Sequence, residues 1–329
     1  SDAREFVMGI GRQLVEALIR ESHHKQIKGD VILIGRQTVY LTPEGIIDLL
    51  KEHGIDIHRN PSELETGGSS TVNLPGYADV KLITDSELFR LIGVPKILAL
   101  DHSDYEGAEI IHNLTNPIPP NLEECADFIV DGSTLDNVFD PAMVVRNFAK
   151  MLKPGGRIIT TNMYSNFYEP YVILPPLWYF DYFTMNGFVD CKVYILVSGS
   201  ESAEGNHSRA NVFTLDIEAL ADPARTVSAF YSSRMMATMV LAEKGPNSSS
   251  DVMPTQQHYR SAAEWEAYRQ NLAPIKRSTR PHLARTYGDI DYFDIRGGHL
   301  FMDSNFAALD PTTAIRDMKL RNQAKAGWN

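Results

Sequence analysis

Leu152-Lys153-Pro154-Gly155-Gly156-Arg157 runs directly into Ile158-Ile159-Thr160-Thr161. A proline followed by two glycines does not continue a helix, and glycine adopts backbone shapes that a β-carbon forbids. The β-branched residues behind the turn suit a strand. In front of it, Val144, Val145, Phe148, Met151 and Leu152 recur at helical spacing, which predicts a helix over residues 141–152. The stretch reads as helix, sharp turn and buried strand, the repeating unit of an α/β sheet.

The same alternation extends in both directions. Val31-Ile32-Leu33-Ile34 is a wholly apolar run, as expected of a strand covered on both faces. Thr42-Pro43-Glu44 carries the marks of a helix start, with Thr42 as N-cap and Pro43 in the first turn. Residues 55–84 lose the pattern and read as an insertion or flap, with Gly67-Gly68-Ser69-Ser70 at its centre. Lys96–Leu100 and Glu109–His112 read as the second and third strands, the second closed by Asp101. Asp127–Val130 reads as the fourth, closed by Asp131-Gly132-Ser133, and the strand at Ile158 as the fifth. The aromatic run Trp178–Phe183 predicts a helix ending at Asn186-Gly187. Residues 189–197 and 234–242 complete the set as an antiparallel hairpin at the sheet edge. Three further helices are predicted, over residues 6–21, 85–93 and 261–272.

The expectation is a doubly wound, mostly parallel seven-stranded α/β sheet with a C-terminal extension. Residues 1–27 form an N-terminal helical segment, 28–245 the sheet domain with the 55–84 insertion, and 246–329 the extension.

With 329 residues, 43% hydrophobic and 22% charged, the chain has the composition of a globular protein. A net charge of −11 argues against a nucleic-acid partner, because phosphates are neutralised by clustered Lys and Arg. The densest basic stretch, from Lys276 to Arg285, is short and reads as a solvated loop. No apolar run reaches the roughly 20 residues that span a bilayer, and Ser1–Glu5 lacks a secretory pattern. A cytoplasmic location without a membrane partner follows as an expectation, and homo-oligomerisation is left open. Cys125 and Cys191 are too few for a metal knuckle or a disulfide framework and read as buried thiols.

Several segments in this order resemble the Rossmann-like (class I) S-adenosylmethionine-dependent methyltransferases, in particular a bacterial methyltransferase-domain group associated with surface glycans. They are Ile97–Asp101, Tyr105–Leu114, Phe128–Phe139, Leu152–Arg157, Asn186-Gly187-Phe188 and Ala242–Gly245. The resemblance spans residues 28–245 and implies a methyltransferase with S-adenosylmethionine as cofactor. It implies that Asp101 binds the cofactor ribose, a role for which a carboxylate at a strand's carboxyl end is chemically suited; the plainer reading is a helix N-cap. It implies that Asn113 meets the adenine amino group, that Leu114 packs on the base, and that Asp131-Gly132-Ser133 lines the methionine end. Asp131 is the candidate catalytic residue, with a loop cap as its alternative. The aromatic group after the fifth strand, with Tyr164, Tyr168 and Trp178 foremost, is the candidate acceptor-binding surface.

The chain departs from the family at its first turn. Where a glycine-rich loop is expected, it has Gly35-Arg36-Gln37-Thr38. Gly35 remains a candidate for close cofactor approach, and Arg36 for pairing with the cofactor carboxylate. Asp136-Asn137 invites comparison with metal-dependent O-methyltransferases but reads more simply as a helix-start cap, so no metal is expected. The functional expectation is methyl transfer to a small-molecule or glycan-linked acceptor. The alternatives are a noncatalytic binding or assembly module of the same fold and, disfavoured by the missing Gly-x-Gly-x-x-Gly turn, a nicotinamide-dependent oxidoreductase.

Overall fold

Strand β1 (Val31–Ile34) is buried along its whole length because helices cover both faces of its sheet. The computed structural model describes residues 9–67, 80–164, 170–197, 211–215, 236–280 and 293–295. Beside β1 lie β2 (Leu98–Asp101), β3 (Ile110–Ile111), β4 (Ala126–Gly132) and β5 (Leu152–Met163), all parallel. Next come β6 (Asp190–Val197), β7 (Asn211–Leu215), β8 (Met236–Glu243) and β9 (Phe293–Ile295). The sheet order is β3-β2-β1-β4-β5-β8-β6-β7-β9.

The seven expected strands therefore stand in one mostly parallel sheet, and β7 and β9 widen it beyond β6. The last long strand does not lie at an edge. β8 pairs antiparallel with both β5 and β6, so it is inserted between them.

The flanking helices follow local signals closely. In α1 (Arg12–His24) the start is later than the periodicity suggests. Gly9 takes φ +125 and Ile10 bridges to Val39, so the chain stays extended as far as Gly11. Phe6 lies outside the described residues. Helix α2 (Pro43–Glu52) is capped by Thr42, whose Oγ1 accepts the Gly45 N–H at 3.1 Å. Thr84 caps α3 (Asp85–Leu91) and Asp140 caps α4 (Pro141–Met151). The aromatic run forms α5 (Pro176–Met185). Ser261 and Glu264 cap α6 (Ala262–Arg277) reciprocally.

Alternation along the strands divides the core in two. Ile32, Ile129 and Ile158 face Val145 and Phe148 of α4, Phe183 of α5, and Tyr268 and Leu272 of α6. Leu33, Phe128, Val130 and Ile159 face Leu14 and Leu18 of α1, Leu50 of α2 and Phe89 of α3. The result is a three-layer α/β/α arrangement.

At the Pro-Gly-Gly turn, strand pairing begins immediately after α4, with Leu152 against Ala126. The register then shifts, and pairing resumes with Arg157 against Phe128. The turn is thus a bulge within β5. A β-carbon on Gly156 would stand 2.8 Å from the Lys153 carbonyl oxygen and 3.0 Å from that of Ala126. Lys153 Nζ closes the bulge onto Asp30 at 2.6 Å and Asp127 at 2.7 Å.

The described residues from 247 to 280 are joined to the core. Arg260 pairs with Asp181 and lies over the Tyr268 ring at 4.0 Å. Arg280, read from sequence as part of a solvated basic loop, is buried instead. It pairs with Glu21 and Asp190, and with Glu243 at 3.3 Å. Cys191 is buried, while Cys125 is only half-buried; both are free thiols. Among the described residues, no helix is long and apolar enough to cross a membrane.

Candidate functional site

The chain leaves β1 toward β2 and β3 on one side and returns to β4 on the other. Such a reversal leaves a crevice beyond the carboxyl ends of the strands, the usual place for a ligand in an open α/β sheet. Gly35 follows β1 with φ +71, and a β-carbon there would stand 3.4 Å from Asp101 Oδ2. Asp101 ends β2, and no helix follows it for capping. Its Oδ1 accepts the Ser103 N–H at 3.3 Å and faces His102 Nδ1 at 2.7 Å.

Arg36 is engaged within the chain. It pairs with Glu109, lies 3.6 Å from Asp85, and donates to the Gly107 carbonyl at 3.4 Å. Burial pushes the Glu109 carboxyl up, but the Ala99 N–H and Arg36 outweigh it and hold that group below its ordinary range. Beside this loop is a cleft of about 410 Å³, lined among others by Arg36, Gln37, Thr84, Asp85, Tyr105 and Glu106. Gln37, absent from the sequence-derived candidates, turns back so that its Nε2 donates to the Ile34 carbonyl at 2.6 Å.

After β3, Asn113 Oδ1 accepts from the Thr115 N–H at 3.0 Å and the Thr115 hydroxyl at 2.8 Å. The side-chain oxygen expected to face adenine is thus engaged in its own turn. Leu114 is buried in the core, and its carbonyl accepts from Asn147 Nδ2 at 2.8 Å.

At the ends of β4 and β5 the structure assembles a buried polar cluster. Asp131 is inaccessible. Its carboxylate accepts from the Thr134 N–H at 2.8 Å, the Thr160 hydroxyl at 2.5 Å and Asn162 Nδ2 at 3.3 Å. Gly132 lies directly under the Gln37 carboxamide. Ser133 takes φ +85, and its hydroxyl is 2.9 Å from either oxygen of Asp136.

Asp136 is not the helix-start cap its position suggested, since Asp140 caps α4. It is buried, and its carboxylate accepts the Met163 N–H at 2.7 Å. Its main-chain carbonyl receives the Tyr171 N–H at 2.8 Å, so this residue ties the loops after β4 and β5 together. Burial raises the Asp131 carboxyl above its ordinary range, and raises Asp136 to about 6. The Tyr179 hydroxyl is buried near both carboxyls, and burial first, then those charges, pushes its ionisation up. No group of three His, Cys, Asp or Glu among the described residues has the arrangement of a metal site.

Of the aromatic candidates, Tyr164 and Trp178 are half-buried and pack against the core. Trp178 meets Tyr179 edge to face at 5.0 Å. Tyr168 lies outside the described residues. Exposed instead are Tyr171 and Phe139, whose ring centroids are 6.3 Å apart.

The geometry joins Gly35, Arg36 and Asp101 at one side of the rim, and Asp131, Gly132, Ser133 and Asp136 at the other. Sequence reasoning missed Gln37 and the true setting of Asp136. An unusual bulky residue where glycine was expected was the available signal for the first. The second had no signal, because burial arises from residues distant in the chain.

No protein-family model matches the sequence, and no curated protein matches it. Solved structures similar to this chain include the CMeT domain of the citrinin polyketide synthase, at 11% identity and TM-score 0.34 over 71% of this chain and 52% of that one. A S-adenosylmethionine-dependent methyltransferase of Thermotoga maritima aligns at 17% identity and TM-score 0.32, covering 70% of this chain and 92% of its own. Another, from Archaeoglobus fulgidus, aligns at 12% identity and TM-score 0.34, covering 71% and 94%. This chain spans about half the length of the citrinin synthase domain structure. Alignments this loose transfer no residue roles. The seven expected strands form a mostly parallel sheet with flanking helices, a methyltransferase-like Rossmann fold, with an antiparallel β8 inserted between β5 and β6.

Proposed function

We propose that this chain is an S-adenosylmethionine-dependent methyltransferase acting on a small-molecule or glycan-linked acceptor, and that it works in the cytoplasm. The observation that carries the reading is Asp101, a partly exposed carboxylate at the end of β2, next to Gly35. Two vicinal ribose hydroxyls match a carboxylate in that position. A cleft of about 410 Å³, lined by Arg36, Gln37 and Tyr105 but not by Asp101 or Gly35, lies beside the same loop and is large enough for a small ligand. The Asp101 carboxylate beside Gly35 fits the ribose of the cofactor. Arg36 would serve its carboxylate after exchanging partners with Asp85 or Glu109.

When bound, the cofactor supplies an electrophilic methyl on a sulfonium. The protein's part is to hold an acceptor lone pair in line with it, which is chiefly an effect of orientation. Asp131 is enclosed by Thr134, Thr160 and Asn162, which suits a positioning residue rather than one touching the acceptor. Asp136 would fix the two loops that border the acceptor side.

One observation favours the noncatalytic alternative: Gln37 and the Arg36 ion pairs occupy the first turn themselves. Calorimetric titration with S-adenosylmethionine and S-adenosylhomocysteine separates the readings. Saturable heat, with a rise in melting temperature, supports the methyltransferase. Absence of both at millimolar ligand supports the module.

A further inference from the structure

We propose that the Gln37 side chain is an internal competitor for the crevice between β1 and β4, so that the amino-acid end of the cofactor binds only after Gln37 has left. The proposal rests on the cofactor reading above. Gln37 Nε2 donates to the Ile34 carbonyl at 2.6 Å, which holds the carboxamide at the end of β1. A β-carbon on residue 132 would lie 2.2 Å from Gln37 Oε1 and 3.1 Å from its carboxamide carbon. The group therefore rests on the bare Cα of Gly132, with the Gly9 carbonyl 3.3 Å from the same point. This is where the order of strands reverses, the crevice in which a ligand is expected.

The main chain supports the closed arrangement. The Gln37 N–H donates to Asp85 Oδ2 at 3.3 Å, and Asp85 lies 3.6 Å from Arg36. The glycine that permits close approach thus lies at the end of β4, and the chain's own carboxamide uses it. A ligand with a polar end for this crevice must displace one side chain while the backbone stays in place. A closed population of about nine in ten would lower apparent affinity about tenfold.

The test compares the native protein with Gln37→Ala by calorimetry, using S-adenosylhomocysteine and adenosine. The expected result is about tenfold tighter binding of S-adenosylhomocysteine by the variant. Adenosine, which lacks the amino-acid end, should bind both proteins alike. Binding of S-adenosylhomocysteine by both at one affinity, or more weakly by the variant, overturns the competition and leaves the cofactor reading intact. Equal tightening of adenosine overturns it as well. If neither protein binds S-adenosylhomocysteine, the cofactor reading and the competition both fail.

A ligand-free measurement tests the contact itself. Gly132→Ala should lower the melting temperature more in the native background than in Gln37→Ala. Equal losses in the two backgrounds would show that Gln37 does not lie on Gly132, and would overturn the proposal.

Discussion

Glu21 and Asp190, at the amino-end rim of the sheet, are buried against Arg157 and Arg280. Asp131 and Asp136, at the carboxyl-end rim, are buried against hydroxyls, a side-chain amide and backbone N–H groups. The first arrangement matches charge with charge and joins α1, β5, β6 and the segment after α6 into one body. The second leaves two carboxyls whose ionisation is opposed by burial. Carboxyls perturbed in this way collect at working sites more often than elsewhere. One rim holds the fold together, and the other keeps polar groups in place around a crevice.

Breaking the amino-end rim should have the largest effect. Arg280→Ala leaves Glu21 and Asp190 short of a buried partner and should destabilise the protein by about 3–5 kcal/mol in denaturant unfolding. A loss below about 1 kcal/mol would mean that the cluster is not a structural keystone.

The carboxyl-end rim should respond to pH instead. Asp136 has an ordinary value of 3.8, raised in the fold to about 6. The folded state therefore holds its proton more tightly than the unfolded chain. The resulting stabilisation is complete below about pH 4, is lost as pH rises toward 6, and changes little above that. Relative to Asp136→Asn, the native protein should lose on the order of 2–3 kcal/mol across this window. A difference between the two proteins that does not vary with pH would remove the contrast between the rims.

The smallest effect belongs to neither rim. Ser261→Ala, which removes the exposed cap of α6, should lower stability by about 1 kcal/mol at neutral pH. Because the Ser261 hydroxyl helps to hold the Glu264 carboxyl low, the change should alter the pH profile only in acid, below about 4.5. A new pH dependence in that variant between about pH 5 and 7, above the Glu264 range, would show that α6 couples to the carboxyl-end rim after all.

What could be read in the sequence was what local chemistry decides. Val31–Ile34 is apolar throughout, and Thr42-Pro43 caps and starts a helix, so both elements stand where the pattern put them. The Pro-Gly-Gly turn marked the junction of α4 and β5, though not the bulge made when Leu152 pairs with Ala126. Asp101 was legible because a strand pattern ends on it. Arg280 was not, since its partner Glu21 is 259 residues away. Asp136 looked like a cap because sequence shows the helix nearby and not the Ser133 and Met163 groups that enclose it. Gln37 was visible as a departure from the expected glycine, but its resting place on Gly132 comes from packing two strands side by side.

The central claim, that the carboxyl-end rim binds a nucleoside cofactor through Asp101, is tested most directly by titrating S-adenosylhomocysteine into the native protein and Asp101→Ala. Loss of both ribose hydrogen bonds should weaken binding at least about tenfold, with the melting temperature of the free protein nearly unchanged. Equal affinity in the two proteins, or no binding by the native chain at millimolar ligand, would contradict it.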